Sequence, residues 1–245
     1  MRVVTIIQAR ISSTRLPAKV LLDLGGKTAL ERCLRRAQQF TGVDEVVIAT
    51  SESEYDEPIA LLARRLGVPC YRGSELDVLA RYFFAATETR ADVIVRVTSD
   101  CPLLDPTISS QVISHFLGRG DTIQYASNTL NRRLPRGLDT EVFSFEALQR
   151  ANYEATAAPD REHVTRFIYT NAAKFVCESV LPPGAGDESQ HRWTLDTPED
   201  YQFLVRLFER LGSAAQTADL QQVLEAANAQ PDIRKFNGHI EQKPT

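Results

Sequence analysis

Residues 3–21 read VVTIIQARISSTRLPAKVL. Val3–Ile7 is a short, apolar, β-branched run with the composition of a strand. The chemistry changes abruptly after it: Arg10, Ser12, Ser13, Thr14, Arg15 and Lys19 crowd around the single Pro17. Three cations and three hydroxyls after a strand suit an anion, because forked guanidiniums, an ammonium and the N–H groups of a turning loop all donate. A triphosphate is the anion such a loop fits best. The plainer alternative is a solvated basic loop ahead of a helix. Placement directly after the first strand of a βα unit favours the anion. Neither GxxxxGK[ST] nor GxGxxG occurs here, so the loop is neither a Walker loop nor a dinucleotide fingerprint.

Outward from this strand, the first 125 residues alternate strand-like and helix-like patterns. TALERCLRRAQQF (28–40) places Ala29, Leu30, Cys33, Leu34 and Ala37 at helical spacing, and VDEVVIAT (43–50) follows as a strand. DEPIALLARRLGV predicts a helix stopped by Gly67, VPCYRG (68–73) a short strand and LDVLARYFFAATETR (76–90) a helix. The most strand-like segment, DVIVRVTSDCPLLDP (92–106), runs into a proline-bracketed turn. This alternation predicts βαβ units, an α/β fold and a mainly parallel sheet. The second half is less regular. Residues 108–117 read as a helix, 122–127 as a strand, and a strand passes into a helix near Ser144. REHVTRFIYTN (161–171) reads as a helix and KFVCESVLP (174–182) as an edge strand. In QHRWTLDTPEDYQFLVRLFERL a strand is expected to lead into Thr197, an N-cap with Pro198 behind it. One domain spanning 1–245 is expected, with an irregular acceptor-binding and dimerisation subregion at about 128–190 and a polar surface strap at about 213–245.

The 245 residues suffice for one large core, and 43% hydrophobic with 24% charged residues is ordinary for a globular enzyme. A net charge of −4 argues against a nucleic-acid surface, so any positive site is local. No apolar run reaches the length of a membrane span, and the first residues lack the pattern of a signal peptide. Four scattered cysteines without a CxxC pair give neither a zinc site nor a disulfide framework, and point to a reducing cytoplasm.

In a parallel sheet, ligands bind outside the carboxyl ends of the strands. There Asp100 ends the most apolar strand and suits a hard cation such as Mg²⁺ bridging phosphate oxygens; alone, it reads equally as a turn aspartate. Asp196, before Thr197-Pro198, repeats the arrangement, so the two aspartates together are candidate ligands of one metal ion. Asp105 reads as a helix cap, and Glu199 and Asp200 as first-turn acids complementing a helix dipole. Asp139 and Glu141 share one face of a strand and are candidates for sugar hydroxyls or a second cation. His163, beside Arg161 and Glu162, is a candidate donor to an acidic acceptor, against the commoner structural role of a lone helical histidine. Arg132, Arg133, Arg136 and Arg161 read either as acid-binding groups or as solvated surface. Cys101 reads as packing, since a neighbouring carboxylate raises a thiol's pKa.

Taken in order, QARISSTRLPAKVL, YRGSELDVLARY, SDCPLLDP, GLDTEVFSFEAL, REHVT and RWTLDTPEDY resemble the cytidylyltransferase family. The similarity is to the group of the spore coat polysaccharide biosynthesis protein SpsF, related to acylneuraminate and 3-deoxy-manno-octulosonate cytidylyltransferases, and covers about residues 1–212. It implies a nucleotide-diphospho-sugar transferase-like fold, a three-layer α/β/α sandwich with a mainly parallel mixed sheet. It also implies CTP as donor, Mg²⁺ dependence, pyrophosphate release, an acidic acceptor and a homodimer. Arg10, Ser13, Arg15 and Lys19 match the family's nucleotide and phosphate loop, which also contains Ala9 and Ser12. Arg72, Gly73, Ser74 and Asp77 match the segment lining the nucleotide pocket, and Asp100 and Asp196 the paired metal aspartates. The resemblance makes Arg10, Arg15, Lys19 and Asp100 the catalytic candidates. Relatives read LPGK where this chain has Leu16-Pro17-Ala18-Lys19; glycine there permits a positive φ or a close phosphate, and Ala18 does not do so freely. A glycosyltransferase on a similar fold is disfavoured by a single aspartate in Ser99-Asp100-Cys101-Pro102 where such enzymes carry Asp-x-Asp. A non-catalytic nucleotide sensor is disfavoured by the retention of Lys19 and both aspartates.

Overall fold

The computed structural model describes residues 1–182, 186–229 and 231–240. Seven strands form one mixed sheet: β1 (Val3–Gln8), β2 (Glu45–Ser51), β3 (Cys70–Gly73), β4 (Val93–Thr98), β5 (Tyr125–Ser127), β6 (Glu141–Ser144) and β7 (Cys177–Ser179). Their order is β3-β2-β1-β4-β6-β5-β7. The first four are parallel; β6 runs antiparallel to β4 and β5, and β7 lies parallel to β5 at the edge, where the alternating 174–182 pattern placed it.

The β1 side chains alternate between two cores, as strand geometry requires. Val3 and Ile7 pack with α1 (Ala29–Ala37), α2 (Glu57–Arg65) and, through Val112 and Phe116, with α4 (Pro106–Arg119). Val4 and Ile6 face α3 (Val78–Glu88) and α5 (Phe145–Glu154) on the other side. The result is the three-layer α/β/α arrangement. The helix starts follow from their caps: Thr28, Asp77, Asp105 and Ser144 each accept a backbone N–H of the first turn. Gly67 follows α2 with φ +69°, the left-handed geometry of a helix stop.

Three expectations change. The 161–171 helix is split into α6 (Ala158–Glu162) and α7 (Arg166–Tyr169), because Thr165 turns inward to donate its hydroxyl to Glu141. Residues 190–196 are extended but belong to no strand. Their bonds run to loops: Arg136 N–H to His191 O (3.0 Å), Trp193 N–H to Arg136 O (2.7 Å) and Leu195 N–H to Asp100 O (2.8 Å). The region after 213 is not a surface strap. α8 (Pro198–Leu211), α9 (Leu220–Asn228) and α10 (Pro231–Arg234) build a third core in which Val223, Leu224, Ala227 and Ile233 pack around Trp193, Leu195 and Phe203. The apolar spacing within a polar stretch was too sparse to read as a helix. The last five positions of the tail, 241–245, lie outside the described residues.

Candidate active site

The loop after β1 is shaped by its own backbone and by one buried acid. Ser13 N–H and Ala18 N–H both donate to Ile11 O, at 2.7 and 3.1 Å, closing the chain into a ring. Ala18 has φ +54° and ψ +23°, so the position singled out in the sequence does adopt the left-handed conformation, and a Cβ is carried there at a cost of about 1–2 kcal/mol. It starts the single 3-10 turn Lys19–Leu21, which aims Lys19 across the strand ends. Asp56, buried after β2, accepts Ile11 N–H at 2.7 Å and also Thr50 Oγ1, Ser51 N–H and Ser51 Oγ, tying the β1 loop to the end of β2. Ser12 Oγ donates to Glu75 at 2.8 Å. Ala9 is buried, its N–H bonded to Ala49 O, while Ser13 Oγ accepts Leu16 N–H at 3.4 Å.

Lys19, Asp100 and Asp196 come from positions far apart in the chain and meet at one point. The Lys19 ammonium donates to Asp100 at 2.6 Å and to Asp196 at 2.7 Å. Arg15 reaches the same Asp196 oxygen at 3.2 Å. Burial works to raise the Asp100 carboxyl, but the Lys19 charge and hydrogen bond prevail and hold it at about 2. Burial likewise opposes the Lys19 charge, and the two aspartates outweigh it, so the ammonium is held above its usual range. Behind Asp196, buried Arg192 donates to Asp196 Oδ2 (3.0 Å) and to both oxygens of Asp200 (2.8 and 2.9 Å). Asp200 also accepts the N–H groups of Asp196 and Thr197 and completes a capping box with Thr197. Asp200 is thus more than a first-turn acid: it orients the Asp196 backbone and the arginine that holds its carboxylate.

Among the described residues, no group of three His, Cys, Asp or Glu could hold a metal ion. Two carboxylates that already share one cation nevertheless fit Mg²⁺, which takes one or two carboxylates and completes its shell with water and phosphate oxygens.

Other candidates lie in different surroundings. Arg72 is tied to Glu57 and to the carbonyls of Ser51 and Ser53, bracing the β2 loop. Gly73 is buried, and a Cβ there would lie 2.9 Å from the Tyr71 ring. Ser74 accepts Asp77 N–H, and Asp77 caps α3 while pairing with Arg161 through both oxygens. Asp139 forms a two-bond pair with Arg132 at 2.7 Å each. Glu141, a candidate for sugar hydroxyls or a second cation, is instead turned into the protein. It is buried, with one oxygen taken by Tyr125 and Thr165 and the other by Arg96, and these partners hold its carboxyl below the usual range against the opposing effect of burial. A period-two pattern places Glu141 on a face of the sheet but does not reveal that α7 covers that face. His163 ends α6, half-buried, next to Glu162, which lies 3.9 Å from Arg10. Cys101 is buried and its thiol is pushed well up, first by burial and then by Asp100, in keeping with packing. Asp56, Arg192 and the role of Asp200 were not read from the sequence; the position of Asp56 after a strand was the only signal.

The cytidylyltransferase family matches residues 4–229. The chain belongs to this family. The cytidylyltransferase is 31% identical to the spore coat polysaccharide biosynthesis protein SpsF of Bacillus subtilis, over 93% of this chain and 94% of that protein. It is 26% identical to the 3-deoxy-manno-octulosonate cytidylyltransferase of Solibacter usitatus, over 85% of this chain and 95% of the relative. The solved cytidylyltransferase of Leptospira borgpetersenii superposes with a TM-score of 0.91 at 32% identity, covering 99% of this chain and all of that one. The cytidylyltransferase is therefore an enzyme, a CTP-dependent nucleotidyltransferase on a nucleotide-diphospho-sugar transferase-like fold. No helix among its described residues is long and apolar enough to cross a membrane.

Proposed function

We propose that this cytidylyltransferase transfers CMP from CTP to a sugar acid or a related small acid, releasing pyrophosphate, in the synthesis of surface polysaccharide or glycoconjugate precursors. The meeting of Lys19, Asp100 and Asp196 at the carboxyl ends of β1 and β4 carries the reading. An acceptor oxygen attacks the α-phosphorus of CTP, the bond to the β-phosphate breaks, and the acceptor proton leaves to solvent. Arg15 and Lys19 stabilise the charge that builds on the departing pyrophosphate. Asp100 and Asp196 would hold Mg²⁺, which when bound polarises the phosphate and lowers the acceptor's pKa. Arg192 and Asp200 keep Asp196 oriented toward Lys19.

The acid on the acceptor has a partner to meet. Arg132 and Arg161 are committed to Asp139 and Asp77, whereas Arg136, half-buried, has no carboxylate partner among the described residues. Its close seating on residues 191–193 is possible because the next residue, Gly137, has φ +103° and lies where a Cβ would be 2.7 Å from the Trp193 carbonyl. The purified protein, assayed for pyrophosphate release with four nucleoside triphosphates against a panel of sugar acids and neutral sugar phosphates, tests the proposal. Release with CTP and an acid supports it; release only with a neutral acceptor or another nucleotide overturns it.

A further inference from the structure

Among the described residues, buried arginines find acceptors, with one exception. Arg36 donates to the carbonyls of Leu104, Ala215 and Ala218; Arg32 donates to those of Leu24 and Gly25; Arg192 is paired with Asp196 and Asp200. Arg81 on α3 is fully buried, yet none of its three guanidinium nitrogens has a hydrogen-bond partner among the described residues. A buried charge without a partner is costly, and its persistence calls for a reason.

Its surroundings supply one. The stem lies against Gly73 at the end of β3, where a Cβ would come within 3.3 Å of Arg81 Cγ. Beyond the neighbouring Tyr82 hydroxyl, the charged groups that act on it most strongly are Asp56, Arg10 and Glu75, all tied to the loop after β1. Asp56 has both oxygens occupied by Ile11, Thr50 and Ser51, and Glu75 accepts Ser12. Neither forms an ion pair with Arg81. Arg10, a second cation, has only Glu162 at 3.9 Å among the described residues. Two like charges lie near each other beside a loop of donors at the carboxyl ends of β1 and β3. A neutral nucleobase cannot offset them, but a triphosphate can.

We propose that Arg81 is a nucleotide-binding charge, held unpaired beside the loop after β1 and neutralised when the triphosphate of CTP binds. It need not touch the ligand, since in a weakly screened interior a charge acts over several ångströms. The proposal rests on the CTP-dependent reaction of the family but assigns a residue outside the Lys19, Asp100 and Asp196 cluster.

Arg81→Met keeps the volume and removes the charge. In the full chain, thermal melting without ligand is expected to stay or rise. The Kd for CTP is expected to rise about tenfold and that for CMP by less than about threefold, because fewer ligand charges are involved. An Arg81→Met protein that binds CTP as tightly as the parent, whatever its melting temperature, makes Arg81 structural and overturns the proposal. So does an equal loss for CMP and CTP. If the parent itself neither binds CTP nor releases pyrophosphate, the family reaction fails rather than the Arg81 assignment.

Discussion

Two groups of charges face the same strand ends and differ in how they are settled. On the β1–β4 side, Lys19, Arg15 and Arg192 meet Asp100, Asp196 and Asp200 within hydrogen-bond or ion-pair distance. On the β2–β3 side, Arg81 has no partner among the described residues and Arg10 has only a long contact. The paired group holds its geometry without ligand, so it is suited to place a metal ion and the reacting phosphorus. On the proposed reading, the unpaired group is the one an anion neutralises, and placement and affinity fall to different parts of the site.

Asp100→Asn should break the paired side most severely. Turnover is expected to fall about a thousandfold or more while circular dichroism remains that of the parent, and near-normal turnover would remove Asp100 from the chemistry. The same substitution has a pH signature. The folded carboxyl is held at about 2 against an ordinary 3.8, so its contribution is complete above that ordinary value and is lost as pH falls through about 2. Asp100→Asn should therefore flatten the loss of stability between about pH 4 and 2; an unchanged acid limb refutes the pairing with Lys19.

Glu141 tests the boundary between site and scaffold. Removing one partner of the buried Arg96 pair in Glu141→Ala should cost about 3–5 kcal/mol in denaturant unfolding, with the folded fraction retaining its KM for the acceptor. A stable variant with a raised KM would return Glu141 to the acceptor site.

Lys19→Met asks whether the ammonium occupies the place of a metal ion. Turnover should fall, and Mn²⁺ binding without nucleotide, followed by electron paramagnetic resonance, should tighten about tenfold once two carboxylates lose their shared cation. Unchanged Mn²⁺ affinity would detach the aspartates from a metal role. The smallest effect belongs to the loop backbone. Ala18→Gly relieves a left-handed alanine but frees the unfolded chain, so a net gain of about 0.5–1 kcal/mol in unfolding free energy is expected. A loss would show that the Ala18 methyl is packed rather than tolerated.

Much of this was legible before the fold was known, where the signal is local. The β-branched run of β1, the cations after it, the caps at Asp105 and Thr197 and the stop at Gly67 each depend on neighbours in sequence. Asp100 and Asp196 were legible because both end an extended segment before a turn or helix start. The exchange of a predicted strand for an extended segment at 190–196 has a different origin. Period-two alternation reports extended backbone, and it is the partner that makes a strand; here the partners are Arg136 and Asp100 on loops. The C-terminal helices were missed because their apolar residues become a core only against Trp193 and Phe203.

The sequence by itself determined the α/β class, the cationic, hydroxyl-rich character of the loop after β1 and the presence of acids at strand ends, because periodicity, capping and charge are properties of short segments. Only the tertiary structure decided which charges are paired. It brought Lys19 to two aspartates, directed Glu141 into a buried network and left Arg81 without a hydrogen-bond partner among the described residues. Pairing depends on distances between segments far apart in the chain, and no local pattern encodes them.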